Sequence, residues 1–323
     1  MNNLSTRENH GSPPKLALVL GGGGLKGFAH IGVLRALAER GIEPTVFAGT
    51  SIGSLICAAH LGGSTVDQMA NRARDLRRRD LFRLDRMGML LERTQAPSIY
   101  LSEPLREVCA SVVPDKRFDE MESTLLVNTV DLQRGAQVVW GLPGLRHANL
   151  VDAVYASCAL PGFFPPGVLD GRMCVDGGVV DNLPVAVAAY GMDAVIAVDT
   201  GSSSLVTEND IAAQGFPGIY MRAATTMMHA LQLGPLERWW GPPMILIRPK
   251  VSHIGWFSFS HTDELIDAGY RAAIDALLHF DRCLEAESGI FPRRPVRITV
   301  DRDKCIGCTL CVSLAPWVMA MDE

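Results

Sequence analysis

Four consecutive glycines, Gly21 to Gly24, follow the apolar run Leu16–Leu20 and precede Ile31, Leu34, Leu37 and Ala38, which recur at helical spacing until Gly41. An unbroken apolar run of this length reads as a strand buried on both faces of a parallel sheet, and Gly41 is a natural helix stop. The glycines therefore lie between a strand and a helix N-terminus. Their backbone passes close to another group, and free N–H groups with the positive end of the helix dipole attract an anion or a developing negative charge. A second short strand, Val46-Phe47-Ala48, runs into Gly49-Thr50-Ser51-Ile52-Gly53, and Leu55 to Leu61 continues as a helix. A serine on a tight strand-to-helix turn between glycines is a nucleophile elbow, which lifts Oγ clear of the sheet. Gly-x-Ser-x-Gly also arises by chance; an upstream glycine loop in the same strand–loop–helix context gives it weight.

Further along, Leu125 to Asp131 and Ala136 to Trp140 read as a hairpin around Gly135, and Met173-Cys174-Val175, Ala194 to Val198 and Met244 to Ile247 as further strands. Asn149 to Ala159 and Thr262 to Glu287 have helical spacing, while residues 201–242 lack a pattern and read as a mobile flap. Strands alternating with helices imply a layered α/β domain with a mainly parallel sheet. With 48% hydrophobic and 20% charged residues the chain can build a large core, which excludes wholesale disorder. A net charge of −5 argues against nucleic acid as partner. No apolar run approaches the roughly 18 residues of a spanning helix, and residues 1–14 read as a disordered polar leader without a signal-peptide core, so a cytoplasmic location is expected. Arginines crowd residues 72–86, with Asp75, Asp80 and Asp85 interleaved. Intrahelical pairing on a solvated face is the first reading; the alternative is a cap meeting anionic lipid headgroups, with Leu81-Phe82 and Met87 to Leu91 as its apolar side. Cys57, Cys109, Cys158, Cys174 and Cys283 read as buried small hydrophobes.

An elbow serine needs a base. Asp131, Asp152, Asp170, Asp176, Asp181 and Asp199 end strands or flank loops, where most aspartates are caps or turn residues. Asp176 stands out because Gly177 and Gly178 let another backbone, such as the elbow, approach its carboxylate. At a reference pKa of about 3.9 an aspartate is a poor base unless burial raises it. His229, His253, His261 and His279 keep a Ser–Asp–His order formally open, although none lies in a motif that recommends it.

Three blocks in this order and spacing, Gly22-Gly-Gly-Leu-Lys-Gly27, Gly49-Thr-Ser-Ile-Gly53, and Ala156-Ser157 through Pro161, Phe164 and Pro165 to Asp176-Gly-Gly178, resemble the bacterial patatin-like phospholipases over about residues 15–285. The resemblance implies a three-layer α/β/α hydrolase domain, residues 15–288, with a dyad of Ser51 as nucleophile and Asp176 as proton acceptor and no histidine. It implies an oxyanion hole from the N–H groups of Gly22, Gly23 and Gly24, supported by Lys26, Gly27, Gly49, Gly53, Gly177 and Gly178. His30 is then a packing or hydrogen-bonding residue of the first helix. The expected activity is acyl-ester hydrolysis of a phospholipid, lysophospholipid or simpler lipid through an acyl-enzyme, without a cofactor and with peripheral membrane contact open.

After the breaker Pro292-Arg-Arg-Pro295 the tail carries a second signal. Val296 to Val300 alternates like a strand and leads into Cys305-Ile-Gly-Cys308-Thr-Leu-Cys311, which resembles the start of a bacterial ferredoxin cluster loop over residues 296–323. Ala315 stands where the fourth cysteine is expected, before Pro316, and no later cysteine follows. An iron–sulfur cluster on Cys305, Cys308 and Cys311 with a redox partner, a zinc site, and a remnant binding nothing all stay open; zinc lacks a second ligand pair. The tail and Gly22-x-Gly24-x-x-Gly27 also admit a dinucleotide-dependent oxidoreductase with an electron-transfer tail. That fingerprint needs an acidic residue at the end of the second strand, where the elbow stands instead.

Overall fold

The computed structural model describes residues 13–85, 98–201, 215–293, 299–300, 302, 305–314 and 318–321, and the chain divides into two compact units, residues 1–292 and 293–323. Residues 1–12 of the leader and the proposed lipid-facing run Met87 to Leu91 lie outside the described residues.

In the first unit, β1 (Leu16–Leu20) leads through a 3-10 turn (Gly24–Phe28) into α1 (Ala29–Glu39), and β2 (Val46–Thr50) leads directly into α2 (Ile52–Leu61). Then come α3 (Val66–Asp75), α4 (Arg78–Leu81), α5 (Ser102–Val112), the hairpin β3 (Thr124–Asp131) and β4 (Ala136–Trp140), and α6 (Leu150–Cys158). β5 (Gly167–Leu169) and β6 (Arg172–Asp176) are followed by a 3-10 turn (Gly177–Val179), α7 (Val185–Ala188) and β7 (Ala194–Val198). The unit closes with α8 (Gly215–Glu237), β8 (Met244–Ile247), α9 (Thr262–Leu277), α10 (Phe280–Leu284) and β9 (Ile290–Phe291). Among the described residues these nine strands form one sheet, ordered β5-β6-β3-β2-β1-β7-β8-β9, with β4 paired to β3. The pairings of β3 with β2, β2 with β1, β1 with β7, β7 with β8 and β8 with β9 are parallel, and those made by β4, β5 and β6 are antiparallel.

Each central strand sends alternate residues to opposite faces, and the two faces differ in bulk. Leu16, Leu18 and Leu20 of β1, with Phe47, Ile196 and Ile245, join a large core roofed by α1, α2, α6 and α9. Ala17, Val19, Ala48 and Ala197 face a thinner core closed by α7 and by Leu236 of α8. The sequence run therefore looked uniformly apolar because both faces are buried, while side-chain size decides which face carries the thick layer.

Two expectations need correction. The helix read over Thr262 to Glu287 is two helices, α9 and α10, broken at Leu278–His279. The flap read over 201–242 contains the 23-residue α8. Its buried stripe, Ala224, Met228, Gln232 and Leu236, repeats every four residues, but exposed Ile219, Met227 and Leu231 on other faces blur it. The arginine segment fits neither reading fully. Arg74 pairs with Asp263 of α9 at 2.7 Å and Arg72 donates to the Ser111 carbonyl of α5, so these side chains tie helices together. Phe82 turns inward against Tyr100, Phe164 and Phe257, with ring centroids 4.9–5.8 Å apart.

Candidate active site

The register of β3 brings the two key residues together. Thr50, the last residue of β2, pairs with Asn128, and Asp176, the last residue of the oppositely running β6, pairs with Thr129. Asn128 and Thr129 also pair with β4, so β2 and β6 share the other edge of β3 and meet there end to end. Ser51 continues from one of these ends and Asp176 stands at the other.

Ser51 has φ 54° and ψ −128°, a strained conformation for a residue with a side chain. Its N–H donates to Ser157 Oγ at 2.8 Å, and Ser157 Oγ donates to the Asn128 carbonyl at 2.7 Å. Asn128 Nδ2 donates to the Asp181 carbonyl at 2.6 Å and to Thr50 Oγ1 at 3.1 Å. A buried polar stitch thus binds the elbow, β3 and the segment after Asp176. Sequence reasoning missed the parts of Ser157 and Asn128 in it, because they follow from register alone. Gly49 packs against the first turn of α2, Gly53 against the Leu20 carbonyl, and Gly27 against Ile52.

The glycine loop differs from expectation at one position. The Gly22 N–H donates to the Asn182 carbonyl at 3.2 Å, so Gly22 is not a free donor. The N–H groups of Gly23 and Gly24 have no acceptor among the described residues. Gly24 lines the cavity at φ +56°, which favours glycine. Lys26 is buried in the 3-10 turn. His30 is fully buried, with Nε2 2.8 Å from the Gly21 carbonyl, and burial pushes its pKa down to about 4. It is a neutral prop behind the loop.

Asp176 is 6% exposed, and burial pushes its carboxyl up to about 6, offset in part by hydrogen bonds from the Gly178 N–H (2.8 Å) and the Ser51 hydroxyl. The glycines beside it admit Asn128 and Asn182 at close range, rather than the elbow backbone that the sequence suggested. The other candidate acids have structural partners. Asp131 binds Arg134, Asp152 binds Arg106, Asp181 caps the Leu183 N–H, and Asp199 faces Arg248 at 3.6 Å. Among the described histidines, His253 pairs with Glu264 and His261 with Ser258 and Ser260; none of them lines the cavity at Ser51. Cys158 lines it, but the neighbouring Cys109 thiol and burial hold its pKa well above the usual thiol range, so it is no thiolate.

That cavity, about 400 Å³, runs from Ser51, Asp176 and Gly24 between α2, α3 and α5. Its walls are apolar, with Leu25, Ile56, Met69, Leu105, Phe82 and Phe257, and Arg72, Asp75 and Asp80 are the charged groups lining it besides Asp176. Such a slot suits an alkyl chain whose polar end lies at Ser51.

A parallel sheet whose adjacent strands end in a glycine loop and a serine elbow, with an acid facing the serine, is the layout of an α/β acyl hydrolase. The chain belongs to the patatin-like phospholipases: residues 18–189 match that family. An uncharacterized NTE family protein of Mycobacterium tuberculosis (strain ATCC 25618 / H37Rv) is 34% identical over 193 residues, 59% of this chain and 51% of that protein. Patatin-like phospholipase domain-containing protein 6 of Homo sapiens is 33% identical over 204 residues, 62% of this chain and 14% of that protein. The chain therefore spans about half the length of its mycobacterial relatives and less of the human one. VipD from Legionella pneumophila is a similar solved structure, with a TM-score of 0.45 and 15% identity over 82% of this chain and 67% of VipD.

Residues 298–323 match a 4Fe–4S single cluster domain. Within the second unit Cys305, Cys308 and Cys311 are exposed free thiols ahead of and within α11 (Leu310–Leu314), with Gly307 at φ +67°. Three thiols at this spacing are a suitable donor set, but among the described residues no three His, Cys, Asp or Glu side chains gather as a metal site. Among the described residues the cysteine loop does not present a formed cluster site.

Proposed function

We propose that the chain hydrolyses lipid acyl esters by a Ser51–Asp176 dyad. The observation that carries this reading is the meeting of a strained serine with a buried carboxylate of raised pKa at the head of an apolar slot. Ser51 Oγ attacks the ester carbonyl and its proton passes to Asp176, whose carboxyl near 6 is a far better base than an exposed aspartate. The Gly23 and Gly24 N–H groups stabilise the oxyanion, and the tetrahedral species collapses as Asp176 protonates the leaving alcohol. Water then attacks the acyl-serine, giving its proton to Asp176, and the fatty acid leaves as Ser51 regains a proton. Neither step needs a cofactor. The dinucleotide alternative lacks its acidic residue, since β2 ends at Thr50 and passes straight into the elbow.

A series of p-nitrophenyl esters from acetyl to palmitoyl, assayed with wild type and Ser51→Ala, tests the reading. Each methylene added to a chain that enters the slot contributes about 0.8 kcal/mol. We expect kcat/KM to rise about three- to fourfold per carbon until the slot is full, and a flat or falling series would sink the assignment of the slot to the acyl chain.

No helix among the described residues is long and apolar enough to cross a membrane. We propose that substrate reaches the site from a lipid surface. The tail is proposed as an energetically separate module that carries the cysteine loop. Deleting residues 292–323 should leave esterase activity within about twofold and Tm nearly unchanged; a large loss of either would show coupling. Anaerobic reconstitution with iron and sulfide, followed by elemental analysis, decides between a bound cluster and a remnant.

A further inference from the structure

We propose that Asn182 is the positioning residue of the oxyanion loop, a role that rests on the reading of Ser51 as nucleophile. Asn182 holds Gly22 at both of its polar groups: its carbonyl accepts the Gly22 N–H at 3.2 Å, and its Nδ2 donates to the Gly22 carbonyl at 3.2 Å. The residues around this clamp are fixed as well. The Gly21 N–H donates to the Val198 carbonyl at 3.0 Å, and the Leu25 N–H donates to the Trp256 carbonyl at 2.8 Å. Between these anchors, among the described residues, only Gly23 and Gly24 keep unengaged N–H groups, so Asn182 is the last fixed point before the two donors and sets the direction in which they face.

The same residue ties the loop to the base. Asn182 lies four positions after Gly178, whose N–H binds Asp176, and its Oδ1 would sit 3.0 Å from a Cβ placed at Gly178. A Cβ at Gly22 would meet Asn182 Oδ1 at 2.5 Å and the Ser51 Cβ at 3.3 Å, so Asn182, Gly22 and Ser51 form one row of contacts. Asn182 is 3% exposed; its Nδ2 gives the Gly22 carbonyl a hydrogen bond, while its Oδ1 has no hydrogen-bond partner. The amide is engaged on the loop through its donor, as expected of a side chain that positions Gly22.

The test uses the full chain with Asn182→Ala and the shape-matched Asn182→Leu. A long-chain alkyl trifluoromethyl ketone, which forms a tetrahedral oxyanion on a serine nucleophile, reports the loop, and the matching fatty acid reports the slot. Outright loss of an oxyanion donor costs about 10²–10³ in kcat; misdirecting two donors should cost about 10- to 100-fold, with KM within about twofold. Ketone affinity should fall in proportion and fatty-acid affinity should stay unchanged in both variants, each checked as folded by far-UV circular dichroism. A merely structural residue would instead weaken both ligands alike. That outcome, or an unchanged kcat in either folded variant, overturns the proposal. Ser51→Ala run alongside separates the two readings: if it is inactive while the Asn182 variants are normal, only the clamp falls. If Ser51→Ala retains activity, the nucleophile assignment falls and the clamp with it.

Discussion

Ser51→Ala is expected to remove acyl-ester hydrolysis, by at least about 10³-fold in kcat, while the protein stays folded. The size of the effect follows from covalent catalysis: without Oγ there is no acyl-enzyme, and the loop donors have no tetrahedral oxyanion to stabilise. The fold should survive because Oγ is no part of the stitch; Ser51 is bound to Ser157 and α2 through its backbone N–H and carbonyl. Far-UV circular dichroism and Tm matching wild type would establish this. Activity above a few per cent, in preparations free of contaminating esterase, would contradict the nucleophile assignment.

Asp176→Asn is expected to be nearly as inactive, and its stability should move in a way peculiar to a buried base. The folded carboxyl titrates near 6, above its ordinary value of 3.8. Its protonated form therefore favours the fold fully below 3.8, and that contribution is lost as pH rises through 6. Above pH 6 the ionised group weighs against the fold by about 3 kcal/mol. Asparagine keeps an acceptor for the Gly178 N–H but carries no charge, so its Tm should exceed wild type by several degrees at pH 8 and converge with it near pH 4. The wild-type kcat/KM should rise tenfold per pH unit up to about pH 6 and then level off. If a His229, His253, His261 or His279 variant is as inactive as Ser51→Ala, the base has been misassigned.

The fold was legible where burial is two-sided. β1, β2, β7 and β8 are short apolar runs because helices or loops cover both faces, and the glycines at the ends of β1 and β2 mark where backbone must replace side chain. In the sequence, Ser51 and Asp176 are picked out by the glycines around them. The residues that hold them were not: Asn128, Ser157 and Asn182 are ordinary polar residues in sequence, and only the register of β3 and the return of the chain past Gly178 give them partners. Gly22 shows the opposite limit. The motif marks a loop of donors, but which N–H groups stay unengaged depends on Asn182, 160 positions away. α8 was hidden because helix formation there does not require a clean apolar stripe when one four-residue repeat is enough to seat it.

The end-to-end meeting of β2 and β6 along β3 bears on how this protein should fail when heated. Loops usually carry the residues of a site, and such sites are lost by local fraying well before the scaffold melts. Here the distance between Ser51 and Asp176 is a distance along one central strand, measured between neighbouring residues Asn128 and Thr129. To separate Ser51 from Asp176, the sheet itself must come apart. Heat inactivation should therefore coincide with cooperative melting of the sheet, and the amide hydrogens of Asn128 and Thr129 should exchange with deuterium among the slowest in the molecule.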